Sequence, residues 1–328
     1  MISFGALFAQ KNRSVIAFNQ YKIVRNTKLV HYQTYIGSIM KNHITCKSFG
    51  KLNAITIVVA GAVAFSATAQ DVADSVVANQ RAALEANTDG KGFGPQSPRD
   101  IDQAYGSNLR AFGFAPNRSQ MNLCNIHFHK NAEHKGGEFT TYAGNGDGKG
   151  KNTGFVYDGQ LTEAQLKPLS KGVCAAKGDP LQSGDTIEVH WVHSAAQVSP
   201  GPTLGACLAE STMNPGLRVE GQVFVLANDK NALDFAHLAE VATINGYAQA
   251  PNVPANTGVP VEYLGSTTGP SFNEAGSPLQ VSWSMRPEVA VVDINSVGEW
   301  CEGNVFNEDH AHGVRNLVTN HKLLSPIN

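Results

Sequence analysis

Charged residues make up only 16% of the 328-residue chain, and its first 69 residues contain no Asp or Glu. No CxxC pair occurs, which argues against a cysteine-held zinc site. There is no HExxH or D-x-H motif, so neither the protease nor the lactamase type of metal chemistry has support. No internal repeat and no low-complexity tract is found. The longest apolar run, Ala54–Phe65, has 12 residues, too few to cross a bilayer as a helix.

The shortage of charge is unevenly spread. Of the 25 Lys and Arg, eight fall in residues 1–69, leaving 17 basic against 27 acidic residues in the remainder, a net charge of −10. An acidic body argues against a nucleic-acid partner, which would need a basic surface. The basic leader reads as an export signal. Lys41, Lys47 and Lys51 precede the Ala54–Phe65 run, and Ala67-Thr68-Ala69 supplies a small-residue cleavage pattern. Met40 is a natural start for this signal. Residues 1–39 are then expected to be an upstream extension, 40–69 the signal, and 70–328 a single periplasmic or secreted domain with no stable membrane insertion after cleavage. Cys46 leaves with the leader. Cys124, Cys174, Cys207 and Cys301 remain, an even number compatible with two disulfides in any of three pairings.

Along the body, Asp71–Asn87 reads as a helix rich in Ala, Val, Gln and Glu. Residues 122–129, 187–193, 217–227 and 281–285 read as strands, separated by long connections rich in Gly and Pro. Residues 136–155, with Gly144-Asn-Gly-Asp-Gly-Lys-Gly150, read as an exposed loop; they lack the spaced ligands and closing Glu of a calcium loop. The expected fold class is mainly β, one domain with few short helices.

The densest chemical signal is His127-Phe128-His129, with Glu188-Val189-His190 following it. Side chains at i and i+2 of a strand share a face, so His127 and His129 can aim two imidazoles at one point. His190 on a neighbouring strand would complete a three-nitrogen set with one open position, the pattern of a catalytic zinc. His193 lies three residues on and faces the other way, so His190 is the preferred third ligand. Asn125 and Glu188 each lie two residues before a ligand on the same face, placed to orient it.

These residues, with Ala132-Glu133-His134 and Trp191-Val-His193, resemble the active-site strands of carbonic anhydrases with three histidine ligands. Gln96-Ser-Pro-Arg-Asp-Ile101 and Tyr263-Leu-Gly-Ser-Thr-Thr-Gly-Pro270 are similar to alpha-class segments. The overall spacing, the long middle insert, Trp300–Phe306 and His310–Leu317 resemble the delta class, including its bacterial members. The resemblance spans roughly residues 93–320. It implies a large, mostly antiparallel twisted sheet like that of the alpha class, Zn²⁺ as cofactor, and reversible hydration of CO₂ to bicarbonate through a zinc-bound hydroxide. It assigns His127, His129 and His190 as ligands, and Asn125 and Glu188 as their orienting partners. Thr268 would accept a hydrogen bond from the hydroxide and donate to Glu133. Val192, Val219, Val281 and Trp283 would form the apolar wall for CO₂. Thr267 stands where the alpha pattern has Leu, and only 25 residues separate Asp102 from His127, an interval that carries the proton-shuttle histidine in the alpha class. His134, His193 and His237 are the shuttle candidates. The insert between His129 and His190 could cover or reshape the site mouth. A homodimer stays open, as do two other functions: a different zinc hydrolase, such as an esterase, and a catalytically silent secreted binding domain.

Overall fold

The computed structural model describes residues 71–327 except Ala111, Gly178 and Met213. The leader and its cleavage pattern lie outside the described residues, whereas the first helix lies within them. It runs Asp74–Thr88 (α1) and lays Leu84 against Val318, Leu323 and Leu324. The Arg81 side chain donates to the Leu317 carbonyl, tying the helix to the end of the chain.

Among the described residues, ten strands follow in chain order. They are β1 (Asn122–Lys130), β2 (Thr141–Asn145), β3 (Thr153–Val156), β4 (Thr186–Ser194), β5 (Leu217–Ala227), β6 (Ala242–Ile244), β7 (Tyr247–Gln249), β8 (Val261–Ser266), β9 (Gln280–Met285) and β10 (Ala290–Asp293). Two more short helices, α2 (Phe235–Leu238) and α3 (Ile294–Cys301), complete the set. The main sheet runs β1-β4-β5-β9-β8, with β10 also paired to β5. It is mostly antiparallel, as expected, but not purely so. β1/β4, β4/β5 and β8/β9 are antiparallel, whereas β9 and β10 both run parallel to β5. Parallel neighbours need a long connection between strands. The stretch from Ala227 to Gln280, which carries α2, β6, β7 and β8, supplies it for β9.

The expected loop 136–155 contains a hairpin. β2 and β3 pair antiparallel across a turn whose glycines Gly146, Gly148 and Gly150 all take positive φ. A dense run of Gly and Asn hid the strands, because the turn residues outnumber the paired ones.

Every residue of β4 and β5 is buried, and so is β1 up to His129. The period-two alternation in β1 and β4 therefore does not separate core from solvent. One face carries Ile126, Phe128, Val189 and Trp191, packed with Phe224, Phe235 and Trp300. The other carries Asn125, His127, His129, Glu188 and His190. A bulge in β1 makes this possible. The pairing slips between Leu123, opposite His193, and Asn125, opposite Val192. Cys124 is the extra residue. It lets Leu123 join the apolar face with Ile126 and Phe128 while Asn125, His127 and His129 turn to the opposite one.

The cysteines pair as Cys124–Cys207 and Cys174–Cys301. The first bond anchors the bulge to the short turn Leu204–Cys207; the second joins the 171–176 segment to the end of α3. Each closes a long loop, 83 and 127 residues in sequence separation. Replacing both Cys124 and Cys207 by Ser is expected to cost about 2–4 kcal/mol of stability. Denaturant unfolding of the two proteins side by side checks this.

His193 sits on the apolar face of β4, fully buried. Its Nδ1–H donates to the Trp191 carbonyl at 3.1 Å and its Nε2 has no partner. Burial, reinforced by the positive charge of Arg118, holds its pKa down to about 3. The folded protein thus refuses a proton that the unfolded chain takes up below about pH 6.5. Stability from this residue is complete above that pH and is lost as pH falls towards 3, by at most about 1.4 kcal/mol per pH unit. His193→Gln should flatten the acid limb by up to one proton, read as the difference in urea unfolding between pH 7 and pH 5. An unchanged slope would contradict this account.

Candidate metal centre

β1 and β4 lie side by side with His127 directly opposite His190. His129 is one strand repeat along on the same face. The ring centroids of His127, His129 and His190 are 4.8–5.3 Å apart. One nitrogen from each falls within 4.8 Å of the others.

The ring nitrogens that point away from this meeting point are engaged. The His127 Nδ1–H donates to Asn125 Oδ1 at 2.7 Å. The His129 Nδ1–H donates to the Gly313 carbonyl at 3.0 Å. The His190 Nε2–H donates to Glu188 Oε1 at 2.6 Å. Each bond fixes a tautomer, so the lone pairs sit on His127 Nε2, His129 Nε2 and His190 Nδ1. These three nitrogens face one another. His129 Nε2 is buried without a partner, and His127 Nε2 and His190 Nδ1 lie 3.1 Å apart with no hydrogen between them. Three converging buried lone pairs repel one another unless a cation lies between them. The donor set therefore fits a metal ion. Burial also lowers the pKa of all three rings, well below normal for His127 and to about 4 for His129. They are neutral, as ligands must be.

A second layer holds His190. Burial alone would raise the Glu188 carboxyl, but its neighbours His134 and His190 hold it well below the usual carboxylate range. Glu188 takes hydrogen bonds from the His134 backbone N–H and from His134 Nδ1, at 3.0 and 2.7 Å. Tyr263 O–H donates to His134 Nε2 at 2.6 Å, and Ser97 Oγ–H donates to Tyr263 Oη at 3.2 Å. The chain Ser97–Tyr263–His134–Glu188–His190 leads from the Gln96–Pro98 segment to the centre. The Trp283 ring lies 4.9 Å from His190 and 4.6 Å from His134.

His127 and His129 open into a cavity of about 590 Å³ shared with Asn125, Glu133, Thr203–Gly205, Thr267–Pro270, Phe272, Glu308, His312 and Gly313. Glu133 is buried and its pKa is raised by burial to about 7. Its Oε1 accepts the Arg315 N–H at 2.7 Å. The Thr268 hydroxyl is buried and has no partner, so Thr268 and Glu133 share the cavity without a hydrogen bond to each other. The buried Arg315 guanidinium donates to Ser97 O, Phe272 O, Ala275 O and the side chains of Gln96 and Ser266, tying the Gln96–Ser97 segment to the cavity-lining Phe272 loop.

Val192, Val219, Val281 and Trp283 are all buried together in the core beside the site. None of them lines the cavity, whose apolar wall is built from Leu204, Pro270 and Phe272. Of the three shuttle candidates, His134 is engaged with Glu188 and Tyr263, and His193 is sealed on the far face of the sheet. His237 is exposed on α2, hydrogen-bonded to Asn252. The residues that sequence reading overlooked are Glu308 and His312. The sequence carries the signal as a second H-x-H, His310-Ala311-His312, within the stretch that resembles the delta class.

A family model described as Delta carbonic anhydrase matches residues 118–296. Among solved structures, the chain is similar to an alpha-carbonic anhydrase from Thermovibrio ammonificans in complex with sulfanilamide, at 13% identity and a TM-score of 0.25; the match covers 68% of this chain and 84% of that one. It is also similar to an alpha-carbonic anhydrase from Photobacterium profundum at 15% identity and a TM-score of 0.25, with coverage of 70% and 88%. No curated protein matches the chain.

Proposed function

The chain belongs to the delta carbonic anhydrase family, and from that premise we propose that its three-histidine centre holds Zn²⁺ and hydrates CO₂ reversibly to bicarbonate and a proton. The observation that carries the reading is the convergence of three buried, unprotonated nitrogens, two of whose rings line an open cavity. Three protein ligands with one side accessible is the donor count of a catalytic zinc. Zn²⁺ bound there supplies Lewis acidity that makes water a nucleophile near neutral pH; the fall in water pKa to about 7 is a magnitude known from carbonic anhydrase itself.

The chain's own residues supply the rest. Asn125, the Gly313 carbonyl and Glu188 hold the three rings in the ligating tautomer. Thr268, whose hydroxyl has no protein partner, takes a hydrogen bond from the attacking water-derived oxygen and turns its own hydrogen towards Glu133. Leu204, Pro270 and Phe272 offer CO₂ an apolar surface, with Val192, Val219, Val281 and Trp283 packed in the core beside the site. The reaction consumes one water and one CO₂ and releases one proton to solvent.

No helix among the described residues is long and apolar enough to cross a membrane. Two disulfides suit an oxidising compartment and, together with the leader, support a periplasmic or secreted enzyme that begins at Gln70. Stopped-flow measurement of CO₂ hydration on the purified protein tests the function. Fast hydration that is abolished by a chelator and restored by Zn²⁺ is expected. Bound zinc without hydration would favour a different zinc hydrolase. Absence of both would favour a silent binding domain.

A further inference from the structure

The geometry points to a metal-capture station at the cavity mouth, in which His310 and His312, steadied by Asp309 and Glu308, take a divalent cation from solvent and pass it inward to His127, His129 and His190. The inference rests on the three-histidine centre being a metal site.

Imidazoles form a continuous ladder from surface to centre. His310 and His312 have ring centroids 4.9 Å apart. His312 lies 5.8 Å from His127 and 5.9 Å from His129. Those rings lie 4.9 and 4.8 Å from His190. Accessibility is greatest at His312, whose side chain is 39% exposed; His310 beside it is 14% exposed, and His190 at the inner end is 1% exposed. His312 and Glu308 line the same cavity as His127 and His129.

The mouth is built rather than loose. Asn304 Oδ1 accepts the N–H groups of Phe306 and Glu308, which shapes the arc leading to it. The His312 N–H donates to the Phe128 carbonyl and its carbonyl accepts the Lys130 N–H, which docks it against β1. A backbone bridge joins Ala175 to His310. Each imidazole has a carboxylate on one nitrogen. Asp309 Oδ1 meets His310 Nδ1 at 2.6 Å, and Glu308 Oε2 meets His312 Nε2 at 2.8 Å. His310 Nε2 and His312 Nδ1 are left to bind a cation, and the two carboxylates supply negative charge beside them.

A transfer station must bind weakly enough to release. Among the described residues, the preassembled groups of three ligands are His127/His129/His190 and His134/Glu188/His190; the mouth residues form no such group. Two imidazoles outside and three inside make the inward step favourable, because each exchange trades a looser ligand set for a fuller one. The net charge of −10 beyond residue 69 also attracts cations to the surface.

The test is the rate of Zn²⁺ uptake by the purified, chelator-stripped protein, followed in stopped flow with a zinc-responsive dye, with final zinc per chain measured by elemental analysis. The double variant His310→Ala/His312→Ala should load at least about tenfold more slowly yet reach the same final zinc content. His310→Gln, which leaves the cavity wall untouched, should slow loading by a smaller factor. His237→Ala, altering an exposed histidine on α2, should load at the wild-type rate. Wild-type loading in the double variant would overturn the proposal. So would a final zinc content below one per chain in that variant under saturating Zn²⁺, because His312 would then belong to the resident site. Failure of the wild-type protein itself to bind Zn²⁺ would sink the metal-centre reading and this inference together.

Discussion

His129→Ala should leave the protein folded but unable to retain zinc, with CO₂ hydration reduced by more than about 100-fold. That exceeds the roughly 10–100-fold loss usual for partners outside the ligand set. The reasoning starts from the unpaired nitrogen. His129 Nε2 is buried and no protein group satisfies it. Its Nδ1–H is spent on the Gly313 carbonyl, so the ring has no other role to which Nε2 could be assigned. The side chain ends at the cavity rather than in the packed core, so alanine removes a ligand without emptying a hydrophobic site. Zinc content by elemental analysis and hydration by stopped flow should fall together. Full activity with full zinc would show that the ligands have been wrongly assigned.

Thr268→Ala should separate what His129→Ala joins. Zinc remains at one per chain, while hydration drops by about 100-fold, the order of loss seen when one positioned hydrogen-bonding group is removed from a reacting centre. The hydroxyl is buried and without a protein partner, which costs free energy unless a group in the cavity completes it. Glu133 is held by the Arg315 N–H and has a pKa raised to about 7 by burial, which suits a carboxyl near a shared proton. Loss of zinc in Thr268→Ala would mean that the residue supports the metal site structurally, and its proposed orienting role would fall.

Much of the centre was legible from spacing alone. His127, His129 and His190 could be placed on one face because strand parity is strict, and the same parity put His193 on the other. Asn125 and Glu188 were placed on the face of the ligands by the same rule and hydrogen-bond to His127 and His190 at 2.7 and 2.6 Å. Strand positions in β1, β4, β5 and β9 were close to those observed, since runs of Val, Ile, Phe and Trp mark a buried sheet. Parallel pairing of β9 and β10 with β5 was not readable, because side-chain periodicity is the same in parallel and antiparallel strands. The β1 bulge was hidden for a related reason. Cys124 looks like one more alternating residue until its partner strand is known. Glu308 and His312 were missed because they reach the centre from a segment far along the chain, through a backbone bridge from His312 to His129 that no local pattern announces. The cavity wall of Leu204, Pro270 and Phe272 escaped notice for the same reason, since loops carry no period to read.

X-ray absorption at the zinc edge on the purified protein tests the central claim most directly. The account predicts about one zinc per chain with four light-atom neighbours at about 2.0 Å, three of them showing the outer-shell scattering of imidazole. Sulfur neighbours at about 2.3 Å, or zinc with fewer than three imidazoles, would contradict it.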